Sequence, residues 1–227
     1  MSLKEELKKE ANRETKKLKE MSFQDKIWYI WEYYKFHIAA VFGLIFLIGV
    51  VVTGIYNSTK ETMLYCAVIN NYSGDLNTEA FTVDFHDAMG YGKKQNVFVE
   101  NLYATYGETI SELGMATLAK LSALVASKEL DIMIADQQNI DHFEEMDGFC
   151  NLEEVLPSRL WDTVKDRIYY GTSSDGTKIP VAVDISNTSF AQNSNITMKP
   201  AYLALLANTT RTEQILAFLD YIFSQSF

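Results

Sequence analysis

The longest apolar run in the chain is Ile38 to Ile55, "IAAVFGLIFLIGVVVTGI", 18 residues with no charge and a single hydroxyl, Thr53. At about 1.5 Å per residue it reaches roughly 27 Å, close to the thickness of a bilayer core. A globular helix would carry a polar stripe, and this run has none. Trp28, Tyr29, Trp31, Tyr33 and Tyr34 precede it and Tyr56 follows it. Such amphipathic aromatics suit the headgroup level, and Lys26 and Lys35 beside the first group suit the cytoplasmic side. The pattern predicts a transmembrane signal anchor over 36–56. A cleaved signal peptide fits poorly, because the charged region before the run is long and no A-x-A-like site follows.

Beyond residue 60 the pattern changes to short apolar runs alternating with helical periodicity. "LYCAVI" (64–69) reads as a strand ending in the turn formers "NNYSGD". "NTEAFTVDFHDAMG" (77–90) reads as a helix closed by Gly90. "NVFVENL" (96–102) alternates as a second strand. The segment 108–129 is the clearest helix, with Leu118, Leu121, Leu124 and Val125 on one face. "DIMIAD" (131–136) is a third strand, followed by the acidic helix "QQNIDHFEEMDG" (137–148). A helix opens at Pro157, which a first turn tolerates. Residues 168–184 read as a hairpin turning at Asp175-Gly176. "AYLALLANT" (201–209) is a strand or buried segment. The last helix starts from a capping box, Thr210 to Glu213. Strand–helix alternation predicts an α/β sheet, and the hairpin adds antiparallel character.

Charge divides the chain further. Residues 1–35 hold nine Lys/Arg and seven Asp/Glu; the remainder holds eleven and twenty-three, within a total net charge of −10. The expected organisation is a charged cytoplasmic tail and aromatic juxtamembrane segment (1–35), an anchor (36–56) and an extracellular domain (57–227). The positive flank places the N-terminus inside and the C-terminal domain outside. The tail has only a broken apolar stripe and reads as a solvated helix or arm; a short coiled coil or an anionic-lipid contact is the alternative. The acidic balance argues against nucleic acid. Cys66 and Cys150 lie in apolar settings with no metal-ligand spacing. They read as buried thiols, with a disulfide as the sharper alternative in an extracytoplasmic domain. Five N-x-S/T sequons (Asn57, Asn71, Asn187, Asn195, Asn208) lie outside the anchor and read as polar surface.

The order of these segments carries a resemblance. "KLSALVASKELDIMIAD", "FEEMDGFCNLEEVLP", "DGTKIPVAVD" and "YLALLANTTRTEQILAFLDYIF" together resemble bacterial extracellular solute-binding proteins of the type 2 periplasmic-binding fold, over roughly 62–227. The aromatic flank "WEYYKFH" before an anchor resembles membrane proteins of Gram-positive bacteria. The resemblance implies a single-lobe, solute-binding-like mixed sheet flanked by helices. Members of that family have two lobes with the ligand between them, whereas the length here suits one, so half a cleft is expected.

Ligands of open α/β sheets bind beyond the carboxyl ends of the strands. That rule selects Asn70, Asn71 and Tyr72 after the first strand, Asp136 after the third and Asp184 after the Pro180 strand. The competing reading makes them turn residues and helix caps, with Asp136 the N-cap of the acidic helix. Asp141, His142, Glu144, Glu145 and Asp147 lack calcium-loop spacing, and His142 has no second His at i+4, so they read as a solvated acidic face. His86 has no paired nucleophile, and His37 sits at the membrane boundary. With three His, no G-x-S-x-G, no phosphate loop and no Asp-x-Asp, an enzyme is the weakest reading. No cofactor, catalytic residue or metal is expected. Two functions stand: a ligand sensor or transport accessory binding a small molecule, or a cell-envelope interaction protein that docks a partner or forms a homodimer.

Overall fold

A computed structural model describes residues 22–72, 75–105 and 112–224. The expected charged arm, residues 1–21, and the helical start over 108–111 lie outside the described residues, as do the side chains of Lys26, Tyr29, Tyr33, Tyr56 and Asn57. The chain divides into two units, residues 1–59 and 60–227.

In the first unit a single helix, α1 (Phe23–Ser58), contains the apolar run. Its segment Tyr34–Gly54 has a mean hydropathy of 2.5 and is nowhere buried, and it is long and apolar enough to cross a membrane. The Thr53 hydroxyl donates to the Gly49 carbonyl (2.8 Å), which satisfies the run's one polar side chain inside the helix.

The second unit is an α/β fold on a six-stranded mixed sheet in the order β2-β1-β3-β6-β5-β4. Its strands are β1 (Glu61–Ile69), β2 (Gln95–Leu102), β3 (Ile132–Ala135), β4 (Ile168–Thr172), β5 (Lys178–Asp184) and β6 (Tyr202–Leu205). The first three are parallel to one another, and β6, β5 and β4 add antiparallel neighbours. The helices are a π-helical turn (Ala80–Phe85) running into α2 (His86–Ala88), then α3 (Glu112–Ala126), α4 (Gln137–Glu144), α5 (Leu152–Val155), α6 (Ser158–Val164), α7 (Ser189–Asn193) and α8 (Thr212–Ser224).

Both faces of the sheet are covered, which is why β1 and β3 read as continuous apolar runs rather than as alternations. On one face, Leu64, Cys66 and Val68 pack with Phe81, Phe85, Phe190 and Phe218. Phe81–Phe190 and Phe85–Phe218 meet edge-on with ring centroids 4.8 Å apart. On the other face, Ala67, Ile69 and Met133 pack under Leu121 and Leu124 of α3 and Ile140 of α4.

Several local expectations shift. β1 starts three residues earlier than its apolar core, because Glu61 pairs with Gln95 along the full parallel ladder. The hairpin loop runs from Ser173 to Thr177, and only Gly176 of the Asp175-Gly176 pair takes positive φ (+85°). α8 opens at Thr212, one residue later than a Thr210–Glu213 capping box requires, and the hydroxyl that accepts a nearby amide is that of Thr209, from Arg211 (3.1 Å). Cys66 and Cys150 are free thiols, the first buried and the second half-buried, so the disulfide alternative is not realised.

Candidate functional site

The five strand-end residues share one edge of the sheet. β1, β2 and β3 all end there, and the register Ala135↔Tyr202↔Asp184 brings the ends of β3 and β5 beside the start of β6. Four of the five side chains are already hydrogen-bonded. Asn70 sits in the left-handed region (φ 61°) and clamps β1 to the exit of β2. Its Nδ2 donates to the Ala104 carbonyl and its Oδ1 accepts from the Ala104 amide, both at 3.0 Å. Asn71 is fully buried. It donates to the Asn195 carbonyl (2.9 Å) and accepts from the Thr197 amide and hydroxyl (2.9 Å each), tying β1 to a loop more than 120 residues away. Asp136 is the N-cap of α4, accepting from the Asn139 amide (2.9 Å). Asp184 accepts from the Ser186 amide (2.8 Å) and hydroxyl, and Ser186 Oγ in turn accepts from the Ala201 amide (2.8 Å). Tyr72 alone is open, 65% exposed, its ring 5.4 Å from that of Tyr103.

Two aromatic residues that sequence reasoning passed over, Tyr169 and Tyr202, complete this edge. Their rings stack with centroids 4.5 Å apart. The Tyr169 hydroxyl donates to Asp141 Oδ1 (2.6 Å). Burial, then the hydrogen bond to Asp141, pushes the Tyr169 phenol up to about 12. Burial and the carboxylates Asp184 and Asp141 raise Tyr202 as well. The available signal was a tyrosine at each of two strand starts, but their pairing depends on the β4–β5–β6 register. Beside them an open groove of about 540 Å³ runs along α4, lined by Gln137, Gln138, Asp141, His142 and Glu145.

The acidic helix does not behave as a single solvated face. Asp141 accepts from Tyr169 of β4. Asp147, just past the helix, accepts from the Ser174 amide (2.9 Å) and hydroxyl (2.6 Å) of the hairpin loop. Glu144, between them, is fully buried, and neither carboxylate oxygen has a donor in hydrogen-bond geometry. Burial, then Asp147, pushes its carboxyl up to about 7, opposed by the Phe149 amide nearby. Among the described residues, no three His, Cys, Asp or Glu side chains are placed to hold a metal ion. His86 is structural in its contacts: its Nε2 meets the Gln95 carbonyl (2.9 Å) and its ring meets Tyr91.

A second buried acid lies at the opposite edge, where β3 begins. Asp131 is fully buried and accepts from the Tyr65 amide (2.8 Å), the Thr209 hydroxyl (2.6 Å) and Arg211 Nε (2.8 Å). Arg211 also donates to the Glu129 carbonyl. This set is a fastener joining β1, β3 and the start of α8, with its charge compensated. Close by, Glu100 is hydrogen-bonded by Lys120 and Tyr65; these bonds hold its carboxyl below the usual range although burial opposes them. Comparison with protein-family models, with curated proteins and with solved structures finds no match to this chain.

Proposed function

We propose that this chain is a single-pass, membrane-anchored, externally displayed recognition domain of solute-binding-like, single-lobe form. It works without catalysis and docks a second copy of itself. The observation that carries this reading is the outward face of α3. Gly114, Thr117, Leu121 and Leu124 form its buried face. Opposite them, Leu113 and Met115 are 69% and 54% exposed, and Ala116, Ala119, Ala123 and Ala126 are exposed as well. A surface helix ordinarily presents charges to water; this exposed face has only Glu112 and Lys120.

Those two charges suggest the occupant. Each lies four residues from Ala116, on the same helix face. An antiparallel copy crossing at Ala116 brings Glu112 of one protomer opposite Lys120 of its partner, which Glu100 already holds in place within its own chain, twice, about a twofold axis. The alanines let two helices approach to about 8 Å. One helix face is a small contact, and a shared membrane raises the effective concentration that makes a small contact sufficient. The satisfied strand-end side chains support the same reading, since a preformed small-molecule cleft needs free polar groups.

The test uses the full chain in detergent micelles. Ala116→Cys, in a Cys150→Ser background, is treated with a short bis-maleimide crosslinker. A crosslinked dimer that Ala119→Arg abolishes is expected. A monomer at every concentration in sedimentation equilibrium, with no crosslink, overturns the proposal. A small-ligand sensor is the second reading, favoured by the open groove along α4 at the strand-end edge. Thermal stabilisation of the full chain by one class among sugars, amino acids and peptides is the result that would favour it.

A further inference from the structure

Asp141, Glu144 and Asp147 recur every three residues, and all three meet β4 or the hairpin loop. Asp141 takes the Tyr169 hydroxyl, Glu144 lies against Gly171, and Asp147 takes Ser174. The outer two are hydrogen-bonded anchors. The middle one is a buried acid with no donor in hydrogen-bond geometry, although the Phe149 amide lies nearby. The fit at Gly171 is close: a Cβ built there would stand 2.8 Å from both Glu144 Cγ and Val181 Cγ2. The aliphatic stem of Glu144 therefore packs directly against the strand, and its carboxyl is shut off from bulk solvent.

We propose that α4 is a proton-controlled latch on the β4–β5 hairpin, seated while Glu144 is protonated and loosened, carrying the groove along the helix with it, when Glu144 ionises. This goes beyond the docking function and is independent of it. An ionised carboxylate in this position must be hydrated or paired, and the packing offers it no cation, only the nearby Phe149 amide. The surrounding groups reinforce that conclusion. On the helix side stand Asp141, which Tyr169 holds, and His142 and Glu145, which line the groove. The turn offers Asp147, an anion that Ser174 occupies. From the hairpin come Gly171, Val181 and the exposed Asp175 and Lys178. The upward push on the Glu144 carboxyl, to about 7, agrees with this geometry. Because the groove is lined by α4 and its C-cap residue Glu145, it moves with the helix when the helix unseats.

Hydrogen–deuterium exchange on the full chain in micelles tests the latch. Protection of peptides covering 137–148 and 168–178, corrected for intrinsic rates, should fall by about ten-fold between pH 5.5 and 8.5. Glu144→Gln should keep the low-pH protection at both values, and Glu145→Gln should behave as wild type. Unchanged protection in the wild type, or an equal fall in Glu144→Gln, overturns the proposal. Should Glu144→Gln fail to fold, carboxyl carbon-13 titration of the wild-type glutamates decides: one midpoint near 7 is expected, and all midpoints near the ordinary 4.5 overturn it.

Discussion

Asp131 and Glu144 are both fully buried acids, and their surroundings are opposite. Asp131, where β3 begins, has an arginine, a hydroxyl and a backbone amide around it. Glu144, under the hairpin, faces a glycine, a valine, another acid and only the nearby Phe149 amide as a donor. A buried charge with a full complement of donors fastens elements together, and removing either partner exposes the cost of the other. A buried acid with no cation and no well-placed donor favours its neutral form. The same residue type thus fixes structure at one site and leaves it responsive to pH at the other.

The largest expected effect breaks the first half of that contrast. Asp131→Ala removes the carboxylate that compensates Arg211 and the acceptor of the Tyr65 amide, and should cost about 3–5 kcal/mol. Chemical denaturation of the full chain in micelles measures it, and a loss under about 1 kcal/mol would contradict the fastener role. Next comes Gly171→Ala, which forces a methyl against Glu144 and Val181 and should cost about 1–3 kcal/mol. In a Glu144→Ala background that cost should shrink; equal costs in both backgrounds would deny the contact.

The pH dependence sharpens the second half. The folded state binds the Glu144 proton more tightly than the unfolded chain, whose carboxyl keeps its ordinary value near 4.5. This contribution is therefore complete below about 4.5 and is lost as pH rises through about 7. The wild-type melting temperature should drop by roughly 5 °C between pH 5 and 8 on this account, and Glu144→Gln should remove the drop. A drop of the same size in the variant would assign it to other groups. The smallest effect is Tyr169→Phe, which removes one hydrogen bond to Asp141 and should cost about 0.5–1.5 kcal/mol. A neutral result there would mean that Asp147 and Ser174 suffice to hold α4 on the hairpin.

Much of the strand-end edge was legible in the sequence. The run "DIMIAD" locates a buried strand and the acid that caps the next helix, and Asp136 does cap α4. The rule that ligands gather at strand carboxyl ends puts Asn70, Asn71, Tyr72, Asp136 and Asp184 on one edge, as the pairing does. The capping role of Asp136 was legible as well, but the distant groups that Asn70 and Asn71 hold were not. Asn71 reaches Thr197 across 126 positions, and no local pattern encodes such a contact. The acidic helix shows the same limit. Spacing alone groups Asp141, Glu144 and Asp147 on one face, but the sequence does not say that a hairpin covers that face.

Sequence alone determined the elements whose cause is local. An uninterrupted apolar run makes a membrane-length helix, short buried runs make strands, and a Gly-containing turn makes a hairpin, each from side-chain periodicity and backbone freedom. Tertiary structure decided what depends on distant partners. It set the switch from parallel to antiparallel pairing after β3, the stack of Tyr169 on Tyr202, and the arginine 80 positions from Asp131. It also set the absence of a well-placed donor at Glu144. The physical reason is that a carboxylate's charge state is fixed by the dielectric and donors around it, and those are supplied by segments far away in the chain.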